Sequence, residues 1–191
     1  MRDLVVTQNV TLDGIIDLST GWFAPPGAGE QDGSTDDIGE EISAQDARAD
    51  ALLVGRRTFE DFRSYWPHRA DDTTGISAYL DDVAKYVVSS TLTDPGWENT
   101  TVISGDLAAG VAALKARSGL DIVATGSIRL VHELTARGLV DEYRLFIYPV
   151  VVGTGRRLFA TDALAPQLEL TGARAFRSGV VLLTYRVVRS A

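Results

Sequence analysis

The chain has no cysteine, so disulfides, thiolate nucleophiles and cysteine-ligated metals are all excluded. Only two histidines are present, His68 and His132, and with no cysteine beside them a metal centre is not expected. No apolar run is long enough to span a membrane, and the residues after Met1 are charged (Arg2, Asp3), which is not the pattern of a signal peptide. A cytoplasmic address with no membrane partner is the expectation. Basic residues are in deficit: the net charge is −8, a poor match for non-specific nucleic-acid binding. A phosphate ligand stays compatible with that charge only if its donors are concentrated in one place.

What is present is the composition of an ordinary soluble domain, 45% hydrophobic and 23% charged over 191 residues, enough to bury one sizeable core. No repeat, low-complexity tract or linker divides it, so residues 1–191 read as a single domain. Glycine and proline cluster between Thr20 and Thr35, which marks a long loop, and a second irregular stretch runs from Tyr65 to Thr74.

Between the loops, short apolar runs alternate with helical segments. Leu4-Val5-Val6, Ala51 to Val54, Tyr86-Val87-Val88, Thr101-Val102-Ile103 and Ile122-Val123-Ala124 have the continuous hydrophobicity of parallel strands covered on both faces. Helices are expected from Asp36 to about Arg48, after an Asp106 cap with Gly119 as the stop, and after a Ser127 cap with Gly138 as the stop. The last third changes character. Tyr143, Leu145 and Ile147 alternate with Arg144, Phe146 and Tyr148, and two further strands (near Leu168 and from Val180 to Val188) follow with no helix between them. The prediction is an α/β fold with a central mixed, mostly parallel sheet, flanking helices and antiparallel strands at the C-terminal edge.

Three strand ends carry phosphate-compatible chemistry. Leu53-Val54 delivers the chain into Gly55-Arg56-Arg57-Thr58 and then a helix, where free N–H groups and the helix dipole face outward beside two guanidinium groups and a hydroxyl. A plain strand–turn–helix with solvated arginines uses the same four residues equally well. Thr125-Gly126-Ser127-Ile128 repeats that arrangement, and Ser89-Ser90-Thr91 places three hydroxyls beyond another strand. Each is weak alone. Together they put donors at the carboxyl ends of three strands of one sheet, where open α/β sheets bind ligands.

The ordered set Thr11-Leu12-Asp13-Gly14, Gly55-Arg56-Arg57-Thr58, Ser89-Ser90, Thr125-Gly126-Ser127, Asp141-Glu142-Tyr143-Arg144-Leu145 and Gly153-Thr154-Gly155-Arg156-Arg157 resembles the dihydrofolate-reductase-like superfamily. It is most similar to the branch related to the C-terminal reductase domain of the bifunctional riboflavin-biosynthesis deaminase/reductase. The resemblance covers nearly the whole chain and implies the three-layer fold of that superfamily, an NADPH-dependent reductase of a small heterocyclic substrate, and a homodimer. It implies that Gly55, Arg56, Arg57, Thr58, Ser89, Ser90, Thr125, Gly126, Ser127 and Ile128 hold NADPH. The long strand expected from Tyr143 to Val152, with more apolar face than one core buries, points to the homodimer as well.

The catalytic side is less defined. Thr125-Gly126 replaces the family's glycine pair, and the carboxylate serving pterin reduction has no clean counterpart. Asp36, Asp37, Glu40 and Glu41 lie on the expected helix, where acids also complement the dipole; Glu41 is carried as a catalytic candidate. Asp13 is another, although Asp-Gly after a strand is equally a turn. Trp22, Trp66 and Tyr148 are candidate substrate contacts, with loop anchoring and core packing as their alternatives. Arg156 and Arg157 would serve a substrate phosphate. Gly153-Thr154-Gly155 follows a late strand and reads as a bulged turn, and His132 as exposed. A non-catalytic NADP- or ligand-binding protein that keeps the cradle is the alternative function.

Overall fold

The computed structural model describes residues 1–24, 35–69, 72, 74–159 and 166–189. Strands β1 (Leu4–Thr11), β2 (Ala49–Gly55), β3 (Ala84–Val88), β4 (Thr100–Ile103), β5 (Asp121–Ala124), β6 (Glu142–Tyr148), β7 (Leu168–Ala175) and β8 (Val181–Val187) form one sheet in the order β4-β3-β2-β5-β1-β6-β8-β7. The pairs among β1 to β6 are parallel, and β8 runs antiparallel between β6 and β7. Helices α1 (Asp36–Asp46), α2 (Arg56–Tyr65), α3 (Ile76–Asp82), α4 (Leu107–Lys115) and α5 (Ile128–Ala136) cover it. The mixed, mostly parallel sheet with an antiparallel C-terminal edge is the one expected from sequence.

Burial on both faces explains the unbroken apolar runs. In β2, Ala51 and Leu53 pack with Leu107, Val111, Leu130 and Leu134 of α4 and α5, whereas Leu52 and Val54 pack with Phe59 and Leu80 of α2 and α3. Alternate side chains of one strand therefore feed two cores, and each sees water-free surroundings. A third cluster joins Ile38 of α1 to Phe146, Phe176 and Leu182.

Several expectations shift on inspection. Asp106 caps α4 by accepting the Ala109 N–H at 2.8 Å, but α4 ends at Lys115, before Gly119. Gly119 instead turns the chain into β5 at φ +150°, where a Cβ would lie 2.5 Å from an Asp50 carboxylate oxygen. Gly138 does stop α5: its N–H bonds the Thr135 carbonyl while the Leu139 N–H bonds that of Leu134, the paired closure of a left-handed C-cap. The second irregular stretch contains a short turn of 3-10 helix, Trp66–His68. Strand β6 stops at Tyr148, short of Val152. Both its faces are covered within the chain, Tyr143 and Leu145 on one side and Phe146 on the other, so the homodimer expectation draws nothing from it. His132 is half-buried, its Nε2 2.8 Å from the Arg157 carbonyl oxygen, because the Gly153–Arg157 turn folds back over α5. No helix among the described residues is long and apolar enough to cross a membrane.

Candidate active site

Parallel topology brings the carboxyl ends of β1, β2 and β5 to one edge, and a cleft of about 1320 Å³ opens there. It exceeds the several hundred Å³ (roughly 300–1,000) usual for a single small ligand. Gly55, Arg56, Arg57, Thr58, Thr125, Gly126, Ser127 and Ile128 all line it, so the two turns predicted separately stand side by side.

They are interlocked. The Ser127 hydroxyl accepts the Gly55 N–H at 2.8 Å, and the Ser127 N–H donates to Thr58 Oγ1 at 2.9 Å. Each hydroxyl thus receives a backbone proton and keeps its own to donate elsewhere. Ser127 is therefore no conventional side-chain cap of α5: it sits at φ +35° and turns its hydroxyl to β2 instead. Gly126, at φ +60°, is held by the Gln8 side-chain amide donating to its carbonyl at 2.8 Å. A Cβ there would come within 3.0 Å of Thr58 Cγ2. The peptide bonds of the described residues are all trans. The first turns of α2 and α5, ten and nine residues long, consequently open on one spot with their unpaired N–H groups and positive dipole ends. This is the place where the sequence concentrates its phosphate-compatible donors.

Arg56 lies at the rim, exposed, with Nε bonded to Glu60 at 2.7 Å and Nη1 receiving its second partner in Thr91 Oγ1 at 2.8 Å. Ser89 and Ser90 are outside the cleft lining. The Ser89 hydroxyl accepts the Thr91 and Leu92 N–H groups and closes a turn, which leaves Thr91 as the hydroxyl that reaches Arg56.

The catalytic candidates do not reach the cleft. Asp13 accepts from the Thr11 hydroxyl at 2.6 Å and the Gly153 N–H at 2.8 Å, bonds that lower its carboxyl to about 2. It fastens the Gly153 turn. Glu41 accepts the Gln45 side chain at 2.9 Å and Arg174 at 2.7 Å, tying α1 to β7. Asp36 and Asp37 face Arg177 across the same seam, and the Arg177 N–H bond lowers the Asp37 carboxyl.

Of the substrate candidates, Trp66 lines the cleft, but Trp22 and Tyr148 do not. The Trp22 ring stands edge-on to Phe23 and Tyr148, with Nε1 donating to the Asp17 carbonyl at 3.0 Å, and Trp22 and Tyr148 border a separate cavity of about 260 Å³. Only Phe23 of that trio faces the main cleft. Residues 25–34 of the expected closing loop lie outside the described residues. Arg156 lines the cleft with Nε 2.7 Å from Asp17, whereas Arg157 turns away to the Asp13 carbonyl. The Arg156 bond, with the Ser19 bonds, lowers the Asp17 carboxyl far below its usual range.

Sequence reasoning missed the other half of the cleft. Asp46, the last residue of α1, lines it together with Gln45, Leu52 and Tyr79. Burial alone pushes the Asp46 carboxyl up to about 6, and burial with the nearby Asp46 and Asp50 pushes the Tyr79 phenol beyond its ordinary range. Neither residue belongs to a motif; only folding brings α1 and α3 together across Leu52. Among the described residues no cluster of three or more His, Cys, Asp or Glu side chains could hold a metal.

The mixed, mostly parallel sheet with its antiparallel C-terminal edge and flanking helices is the fold of a reductase-like domain of the dihydrofolate-reductase-like superfamily. The model of the RibD C-terminal domain matches residues 2–182, and the chain belongs to that family. It is similar to two Bacillus subtilis (strain 168) proteins that carry the name uncharacterized protein. YyaP is 31% identical over 187 residues (96% of this chain, 94% of the relative), and YwjB is 28% identical over 184 (95% and 96%). A putative riboflavin biosynthesis protein from Shewanella sp. PV-4 shares the fold, with TM-score 0.72, 21% identity and 98% and 99% of the two chains covered. So does a pyrimidine reductase-like protein from Corynebacterium diphtheriae, with TM-score 0.66, 19% identity and 99% and 93% covered. The Thermotoga maritima diaminohydroxyphosphoribosylaminopyrimidine deaminase/5-amino-6-(5-phosphoribosylamino)uracil reductase shares it at TM-score 0.65 and 15% identity, with 98% of this chain aligned to 57% of that one.

Proposed function

We propose that the protein is an NADPH-dependent reductase of a small heterocyclic substrate. The observation that carries this reading is the mutual bond pair between Gly55–Thr58 and Ser127, which sets two hydroxyls and the N-termini of α2 and α5 side by side at the cleft. These residues fit a pyrophosphate: the donors are spaced over two chain turns, and Gly126 leaves open the space a side chain would take from Thr58. Arg56 and Thr91 at the rim would hold the adenosine 2′-phosphate side. When bound, the cofactor supplies a hydride, which the protein itself has no group to provide. The chain's own work is to fix the phosphates at α2 and α5, to cover the reacting ring with Ile16 and Leu18 at the cleft wall, and to offer a second compartment for the acceptor.

The homodimer belongs to this reading through the family resemblance, and a cytoplasmic location is proposed with it; sedimentation of the purified chain as a monomer would remove the first. The second reading, a binding protein that keeps the cradle without turnover, draws on the absence of Asp13 and Glu41 from the cleft lining. Titration with NADPH, followed by quenching of tryptophan fluorescence (Trp66 lines the cleft), tests the first reading. Saturable binding with consumption of NADPH on a dihydropterin, aminopyrimidine or quinone supports it. Stoichiometric binding with no consumption across that panel favours the second.

A further inference from the structure

Beyond the cradle the cleft continues as a groove on the sheet face that carries α1, α2 and α3. Gly55 ends β2 at the cradle, and Asp46 sits three residues before β2 begins, so the two mark opposite ends of that strand. Six residue steps of extended chain separate those strand ends by about 20 Å, the length of an elongated molecule. Ile42 and Phe62 form apolar walls and Leu52 an apolar floor.

Three polar groups along this groove have no partner. Thr7 Oγ1 and the Tyr79 hydroxyl are buried without a hydrogen bond, and among the described residues nothing donates to the Asp46 carboxylate. Buried polar groups are almost always bonded, and a group that the fold leaves open in a cavity is matched by what enters it. The signs are informative as well. Asp46 and Tyr79 line the far end of the groove together, and the neighbouring Asp50 is paired with Arg2, so the open charge there is the Asp46 carboxylate, which disfavours a carboxylate or phosphate. A carboxylate with a phenol oxygen beside it accepts N–H donors, and the apolar middle accepts the body that carries them.

We propose that this far end, built by Asp46 and Tyr79, binds the basic, N–H-donating end (an amine or amidine) of an elongated ligand whose apolar body lies along Leu52. It rests on the cofactor reading only in identifying that ligand as the substrate: the cradle end takes the cofactor, so the substrate enters with its cationic end pointing away from it. A substrate with an anionic tail in this groove is excluded.

The test uses two probes of one shape and opposite charge, phenylbutylamine and phenylbutyrate, bound to the full chain at neutral pH and followed by calorimetry. The amine binds roughly tenfold or more tighter than the acid. Asp46→Asn erases that preference, and Tyr79→Phe weakens the amine severalfold, while both variants keep wild-type NADPH affinity. Equal binding of the two probes by the wild-type chain overturns the proposal, as does a preference that survives in Asp46→Asn. Amine preference with no NADPH binding would sink the cofactor reading and leave the amine end standing; NADPH binding with no amine preference does the reverse.

Discussion

The Ser127 hydroxyl accepts the Gly55 N–H at 2.8 Å, joining the end of β2 to the start of α5 across 72 residues of sequence. The reciprocal bond from the Ser127 N–H to Thr58 makes the junction a closed pair. The N-termini of α2 and α5 are thereby fixed relative to each other.

Removing the Ser127 hydroxyl breaks both uses at once. Ser127→Ala is expected to weaken NADPH roughly tenfold and to lower stability by about 1 kcal/mol, since the Gly55 N–H loses its acceptor. Titration and chemical denaturation read the two effects. Unchanged NADPH affinity in a destabilised variant would reduce Ser127 to a structural link.

Gly126→Ala places a methyl group 3.0 Å from Thr58 Cγ2 on a backbone held at φ +60°. The left-handed conformation alone costs about 1–2 kcal/mol for an alanine. The variant should fold, melt earlier and bind NADPH more weakly than wild type. Wild-type affinity would show that the Gly126–Thr58 contact does not shape the cradle.

How much of this was legible follows from the physics of each signal. The Leu53-Val54-Gly55 junction could be read because a buried parallel strand leaves an unbroken apolar run and a glycine turn must follow. The motifs at Gly55–Thr58 and Gly126-Ser127 were legible for the same reason, and both line the cleft. Their bonding to each other is a product of strand order, β2 beside β5, which no local pattern encodes. Ser89 carried the right chemistry, but it accepts two N–H groups of its own turn, as serines after strands often do, and lies outside the cleft lining. Asp13 looked catalytic because it was placed in the right motif; its oxygens are consumed by Thr11 and Gly153, 140 residues on. Asp46 and Tyr79 were silent because an acid near a helix end and a helical tyrosine are unremarkable until packing removes their water.

Asp13 yields a test with a definite sign. Its carboxyl is lowered from 3.8 to about 2 by bonds made only in the fold. Its stabilising contribution is therefore complete above pH 4 and lost as the pH falls toward 2. Asp13→Asn should flatten the acid limb of the melting profile in that window and leave NADPH affinity at neutral pH within about twofold, far below the tenfold loss of a direct contact. Loss of NADPH binding would return Asp13 to the site.

Asp46 has the opposite sign. Its carboxyl rises from 3.8 to about 6, so on raising the pH the unfolded chain releases this proton first. Stability then declines between pH 4 and 6 and stays lower above, by about 1 kcal/mol once the half-exposed position is discounted. Asp46→Asn should match wild type below pH 4 and exceed it above pH 6 in thermal melts. Parallel curves at every pH would mean that the Asp46 carboxyl is not desolvated.

The most direct measurement of the central claim is the ratio of NADH to NADPH dissociation constants for wild type and Arg56→Ala. Arg56 stands at the rim between Glu60 and Thr91, placed for the 2′-phosphate, and one charge-assisted contact to phosphate is worth roughly tenfold. The account predicts that wild type binds NADPH roughly tenfold or more tighter than NADH, and that Arg56→Ala closes most of the gap by weakening NADPH alone. Equal, weak binding of both nucleotides by the wild-type chain would contradict it.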